Sequence, residues 1–141
     1  MANADPKPSI RLHIINNSRY LKVIDYSLLF WYLDQVKKYW PIYYGDYYIT
    51  LGDGPSPNSP PDSGAYHWKG ANAYVDVKIH YDLNLDPYMG ITHELGEMAV
   101  DPNIDYYDKS ENLVEICDDN LVMIYKNHFV CNFSKPKNFN L

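Results

Sequence analysis

Residues 86–102 read DPYMGITHELGEMAVDP, and the rest of the chain is best understood outward from this stretch. Asp86 followed by Pro87 marks a helix start. The carboxylate accepts from the first free backbone amides, and proline has no N–H to leave unpaired in the first turn. Asp101-Pro102 closes the segment, because a residue before proline is pushed out of the helical region. The spacing predicts a helix from 87 to about 100. Within it, His93 and Glu97 stand four apart and share one face. That is how a helix offers two ligands to one metal ion, with the residue after the first ligand placed as a general base. Here Glu97 takes the second ligand position, where His is usual, and Glu94 takes that of the base. Gly96 costs this helix about 1 kcal/mol relative to Ala, so a close approach of other backbone is expected there.

A solvated His–Glu pair would satisfy the same spacing, so the remaining candidates matter. A catalytic zinc needs at least three protein ligands. Asp118 is the first choice for the third. Glu115, three residues earlier, could ligate instead or hold His93 by its other ring nitrogen. Asp101 lies near the His93 face but could equally cap the next turn. His67, after a proline-rich loop, either reaches the metal or a substrate carbonyl, or packs between Tyr66 and Trp68. Cys117 remains open as a ligand, although alternation would put it on the Glu115 face. His13 and His80 read as structural or exposed, and His128 as a turn residue.

Elsewhere the pattern is shorter in period. Residues 9–15 alternate apolar and polar as a half-buried strand, and 47–51 is a second strand. Residues 22–40 carry apolar and aromatic side chains at helical spacing, capped by Asp25 or Asn17 and stopped by Pro41. The wide aromatic face predicts packing on a sheet. Residues 52–64, with four prolines and three glycines, must be an irregular loop. Residues 73–80 alternate as a strand. Residues 113–117, 121–125 and 129–133 read as short strands, the last two a hairpin across 126–128. The order β-α-β-loop-β-α-β-β predicts an α+β fold, a mixed sheet with two main helices. Residues 1–8 read as a flexible arm and 9–141 as a single domain.

Composition excludes several partners. The 141 residues carry a net charge of −6 and only two arginines, Arg11 and Arg19, so no basic stripe exists to neutralise nucleic-acid phosphates. No apolar run approaches the ~20 residues of a membrane span. The start, MANADPKPSIRL, has no classical export pattern, so Cys117 and Cys131 are expected as free buried thiols rather than a bridge. The acids divide unevenly into 14 Asp and 4 Glu, and three of the four Glu (Glu94, Glu97 and Glu115) fall in the two segments proposed to build one site.

Three segments together resemble a known pattern. Residues 92–102 (THELGEMAVDP), 115–118 (EICD) and 130–136 (VCNFSKP) are similar to SHExxExxxDP, E[VI]CD and VSNFxxP. These occur in a family of small, uncharacterised, zincin-like metalloproteins encoded by tailed phages and bacteria. Residues 64–67 (GAYH) resemble the family's GYH element, and 14–18 followed by a helix resemble its start. Thr92 stands where Ser is commoner, and Gly96 where a larger residue is usual. The resemblance implies a minimal zincin-like fold whose second helix carries HExxE, with His93, Glu97 and Asp118 as metal positions and Glu94 as base. It implies zinc, with calcium or manganese compatible with so oxygen-rich a set. It further implies a metallopeptidase acting on a peptide or protein, located in the virion or host cytoplasm. The alternative is a non-enzymatic virion structural or assembly protein that contacts other virion proteins and carries a structural metal or none.

Overall fold

The computed structural model describes residues 9–57, 63–118 and 121–141. The arm expected at 1–8 and part of the proline-rich loop fall outside them. Chain order is β1 (Arg11–Asn16), α1 (Tyr26–Lys37), β2 (Asp46–Gly52), β3 (Ala65–Trp68), β4 (Asn72–Asp76), α2 (Val77–Asp82), α3 (Pro87–Val100), β5 (Val122–Tyr125) and β6 (His128–Cys131), then a 3-10 turn at Pro136–Asn138. The α+β class and the mixed sheet are as the sequence predicts. Strands run β1-β2-β4-β3, parallel except for the antiparallel β3–β4 pair, and β5–β6 form a separate antiparallel hairpin.

The segment from Asp86 onward behaves as its residues dictate. The Asp86 side chain accepts from the Tyr88 amide, and α3 runs to Val100. All of its residues except Met89 and His93 are buried, because β3 and β4, α1 and β6 all pack against it. A helix apolar on nearly every side has to be covered on nearly every side. α1, capped by Asp25 rather than Asn17, lays Leu28, Leu29, Tyr32, Leu33 and Val36 into the core. Each such fully buried side chain contributes about 1.5–3 kcal/mol. Its aromatic face meets α3 and the hairpin, where Trp31 stacks on Tyr125 with ring centroids 3.7 Å apart. At Gly96 the close approach comes from side chains rather than from the backbone expected there. A Cβ there would lie 2.9 Å from the Tyr32 hydroxyl and 3.2 Å from Cys117 Sγ.

Several elements differ from expectation. The strand predicted at 73–80 ends at Asp76, whose carboxylate accepts from the Ile79 amide and starts α2. Alternation carried past the cap because Val77 is buried from the helix as it would have been from a strand. His80 is therefore a buried helical residue, its Nδ1 on the Asp76 carbonyl. The predicted strand at 113–117 is an isolated bridge at Leu113 followed by a turn. Burial alternates from Leu113 to Ile116, but the chain turns at 116–118 and Cys117 is buried as well. The first helix is shorter than 22–40. The hairpin turn contracts to Lys126 and Asn127, both left-handed, and His128 joins β6. That is the two-residue turn whose twist suits a hairpin. β3 was missed altogether. Its signal was the turn before residue 72, where Gly70 and Ala71 have positive φ and return the chain into β4.

The cysteines are also corrected. Cys117 and Cys131 form a disulfide, their Cα atoms 6.2 Å apart. The absence of an export pattern gave no view of this, whereas the turn at 116–118 brings Cys117 against the end of β6. That separation lies within the span a disulfide bridges.

Candidate metal centre

Three pieces of chain meet over one face of α3. The helix supplies His93, Glu94 and Glu97. Strand β3 pairs His67 with Ala73 of β4, so period-two alternation turns its imidazole to the α3 side, away from Tyr66. The segment 113–118 brings Glu115 and Asp118. Its position is held by the buried Val114 and Ile116, by the Ser134 amide donating to the Ile116 carbonyl at 2.7 Å, and by the disulfide. Beside the disulfide, the Cys131 amide donates to the Thr92 hydroxyl at 2.9 Å, which ties β6 to the helix one residue before His93.

Two groups of side chains result, each within reach of a single cation: His93, Glu97 and Asp118, and His67, Glu94 and Glu97. In the first, His93 Nε2 lies 2.7 Å from Glu97 Oε1 and 3.4 Å from Asp118 Oδ1. Glu97 Oε1 is nonetheless buried without a hydrogen-bond partner. The 2.7 Å contact is an ion pair without the alignment of a good hydrogen bond. In the second group, His67 Nδ1 makes a 2.5 Å hydrogen bond to Glu94 Oε2 and stands 3.8 Å from Glu97 Oε2. Glu97 thus presents one oxygen to each group.

Charge in this cleft is crowded. Burial pushes Glu97 up to about 8 despite the attraction of His93. Burial opposes a charge on His93, but Asp118, Glu97 and Glu94 outweigh it and raise the imidazole to about 10. His67 is raised for the same reason, burial being overcome mainly by Glu94. A hydrogen bond with Asp118, with burial second, lifts Glu115 to about 7, while Asp118 itself is held low by His93. Four carboxylates gathered around two imidazoles is an arrangement that positive charge stabilises, whether proton or metal.

Of the residues singled out from sequence, His93, Glu94, Glu97, Asp118, Glu115 and His67 come together. Asp101 does not. Its two oxygens accept from the Asp105 and Tyr106 amides, so it caps the turn after α3. Cys117 is committed to the disulfide. His13 pairs with Asp46 on the neighbouring strand β2, and His128 with Asp86. The contact that spacing did not reveal is His67 with Glu94, two residues 27 positions apart. No protein family, curated protein or solved structure matches the chain. Among the described residues no helix is long and apolar enough to cross a membrane.

Proposed function

We propose that the chain is a metal-dependent peptidase, with zinc held by His93, Glu97 and Asp118. The observation that carries this reading is the convergence of His93, Glu97 and Asp118 within reach of one cation, with Glu97 Oε1 buried, without a well-aligned hydrogen bond and 2.7 Å from His93 Nε2. Leaving such an oxygen unsatisfied costs 1–3 kcal/mol or more, a cost that a cation between the two groups removes. One imidazole with two carboxylates suits zinc or manganese, whereas calcium prefers oxygen throughout. The resemblance of residues 92–102, 115–118 and 130–136 to small phage and bacterial zincin-like proteins supports the same assignment.

The ion, when bound, supplies Lewis acidity toward water and a substrate carbonyl. The chain's own residues do the rest. Glu94 accepts the proton from the attacking water and returns it to the departing amine. His67 fixes the Glu94 carboxylate through Nδ1 and so holds the base in one orientation. His93 and Asp118 are the more exposed members of the group, so a substrate reaches the site from their side.

Purified protein should contain about one zinc per chain. Glu94→Gln should keep that metal and lose hydrolysis of a peptide library. A folded chain that neither carries nor takes up zinc would overturn the assignment. Full metal with no hydrolysis by the unmodified chain would leave a structural metal and favour the assembly role.

A further inference from the structure

We propose that His67, Glu94 and Glu97 form a second divalent-cation site, next to the first and weaker than it, with Glu97 giving one oxygen to each ion. The spacing supports this. His67 Nδ1 and Glu97 Oε2 are 3.8 Å apart, too far for a hydrogen bond. Two donors that share an ion at about 2.0–2.2 Å each stand roughly 3–4 Å apart. Glu97 is 3% exposed, and its other oxygen, the unpartnered one, faces the first group. A carboxylate that offers one oxygen to each of two donor groups is the bridge found in two-metal sites, whose ions stand roughly 3.5–4 Å apart. The two groups share Glu97 and no other residue.

The second site is the weaker for two reasons visible in the fold. A cation entering it must break the 2.5 Å His67–Glu94 hydrogen bond and displace the proton within it. It must also sit beside an ion already bound, a repulsion that Glu115 in the same cleft only partly offsets. In the first group the His93–Glu97 pair must also yield its proton, but it lacks the alignment of the His67–Glu94 hydrogen bond. Filling the second site engages Glu94. On the reading of Glu94 as base, which this consequence alone requires, excess cation therefore switches hydrolysis off.

The test is zinc binding to the metal-stripped full-length chain, followed by calorimetry and by direct metal analysis after dialysis. Two ions per chain are expected, the second bound roughly ten- to hundredfold more weakly. His67→Ala should remove the weak step and leave the strong one; His67→Gln, which keeps the size and a donor toward Glu94, should do the same if the alanine variant misfolds. Asp118→Ala should weaken the strong step. With manganese in place of zinc, the two-ion state should show a spin-coupled resonance spectrum that His67→Gln abolishes. One ion per chain, lost in Asp118→Ala and unaffected in the His67 variants, would overturn the second site and leave the peptidase proposal standing. One ion weakened equally by both changes would mean a single shared position and overturn the inference. No binding at all would overturn both.

Discussion

Carboxylates serve two very different ends of α3. At its N-terminus Asp86 is saturated. One oxygen accepts from the Tyr88 amide, and the other accepts from the Phe129 amide and pairs with His128 at 2.8 Å. Asp101, past the C-terminus, gives both oxygens to backbone amides, and Asp76 takes two amides on one oxygen. These aspartates complete the backbone's hydrogen bonding, and Asp86 and Asp101 engage both of their oxygens. Glu97, one turn before the helix ends, is more deeply buried than Asp101 and yet keeps an oxygen unpaired. A buried carboxylate oxygen without a well-aligned hydrogen bond is costly, and that cost is what a cation held between Glu97 and His93 would remove.

Changes at the two kinds of position should therefore fail in different ways. The largest effect belongs to Glu97→Gln, which should weaken zinc binding by more than about a hundredfold, since even residues behind a ligand are worth ten- to a hundredfold. The same variant should raise the melting temperature of the metal-free protein at pH 9, where Glu97 has lost its proton, and change it little at pH 6. Calorimetry of both forms checks this, and a lower metal-free melting temperature at pH 9 would erase the contrast. Next comes loss of the Cys117–Cys131 bridge. Closing a loop of this length is worth about 3 kcal/mol. Cys131→Ser should lose stability of that order in denaturant titrations and also weaken zinc binding, because the bridge anchors the turn that carries Asp118. An unchanged zinc affinity would show that Val114 and Ile116 place Asp118 without it.

Asp101→Ala should cost about 1–2 kcal/mol, as the loss of a cap does, with no change in metal content. Lost metal in that variant would break the division between the two classes of acid. The smallest effect is in pH. His93 is raised to about 10 from 6.5, and Glu97 to about 8 from 4.5. In both cases the folded protein holds a proton that the unfolded chain has released, so stability without metal falls as pH rises, through about 4.5–8 for Glu97 and 6.5–10 for His93. Saturating zinc should reverse the trend, since the ion replaces those protons. Thermal scans at pH 6 and pH 9, with and without zinc, read the sign directly.

Legibility followed the range of the interaction. The Asp86 cap, the helix between two proline signals and the shared face of His93 and Glu97 were visible because each depends on residues within a turn of one another, whereas the first helix left Asp25 and Asn17 both open as caps. The failures have the opposite character. Residues 113–117 alternate like a strand, but only Leu113 finds a bridge partner before the chain turns at 116–118. Residues 73–80 alternate through a real boundary, because Asp76 capped a helix whose first residue is also apolar. His67 was ambiguous until β3 paired with β4 and its face was decided.

The sequence by itself determined that α3 would exist, where it would start and stop, and that its scarce glutamates would stand one turn apart beside a histidine. Those are consequences of helical geometry and of capping, which need no partner. Only the tertiary structure decided that His67 meets Glu94, that Cys117 bridges to Cys131, that Asp118 reaches His93, and that Asp101 turns away into the backbone. Each of these joins elements through packing or strand pairing, or depends on the fold of a whole loop. The unpaired oxygen of Glu97 belongs to the second class as well, since a hydrogen bond can be seen to be missing only once every neighbour is in place.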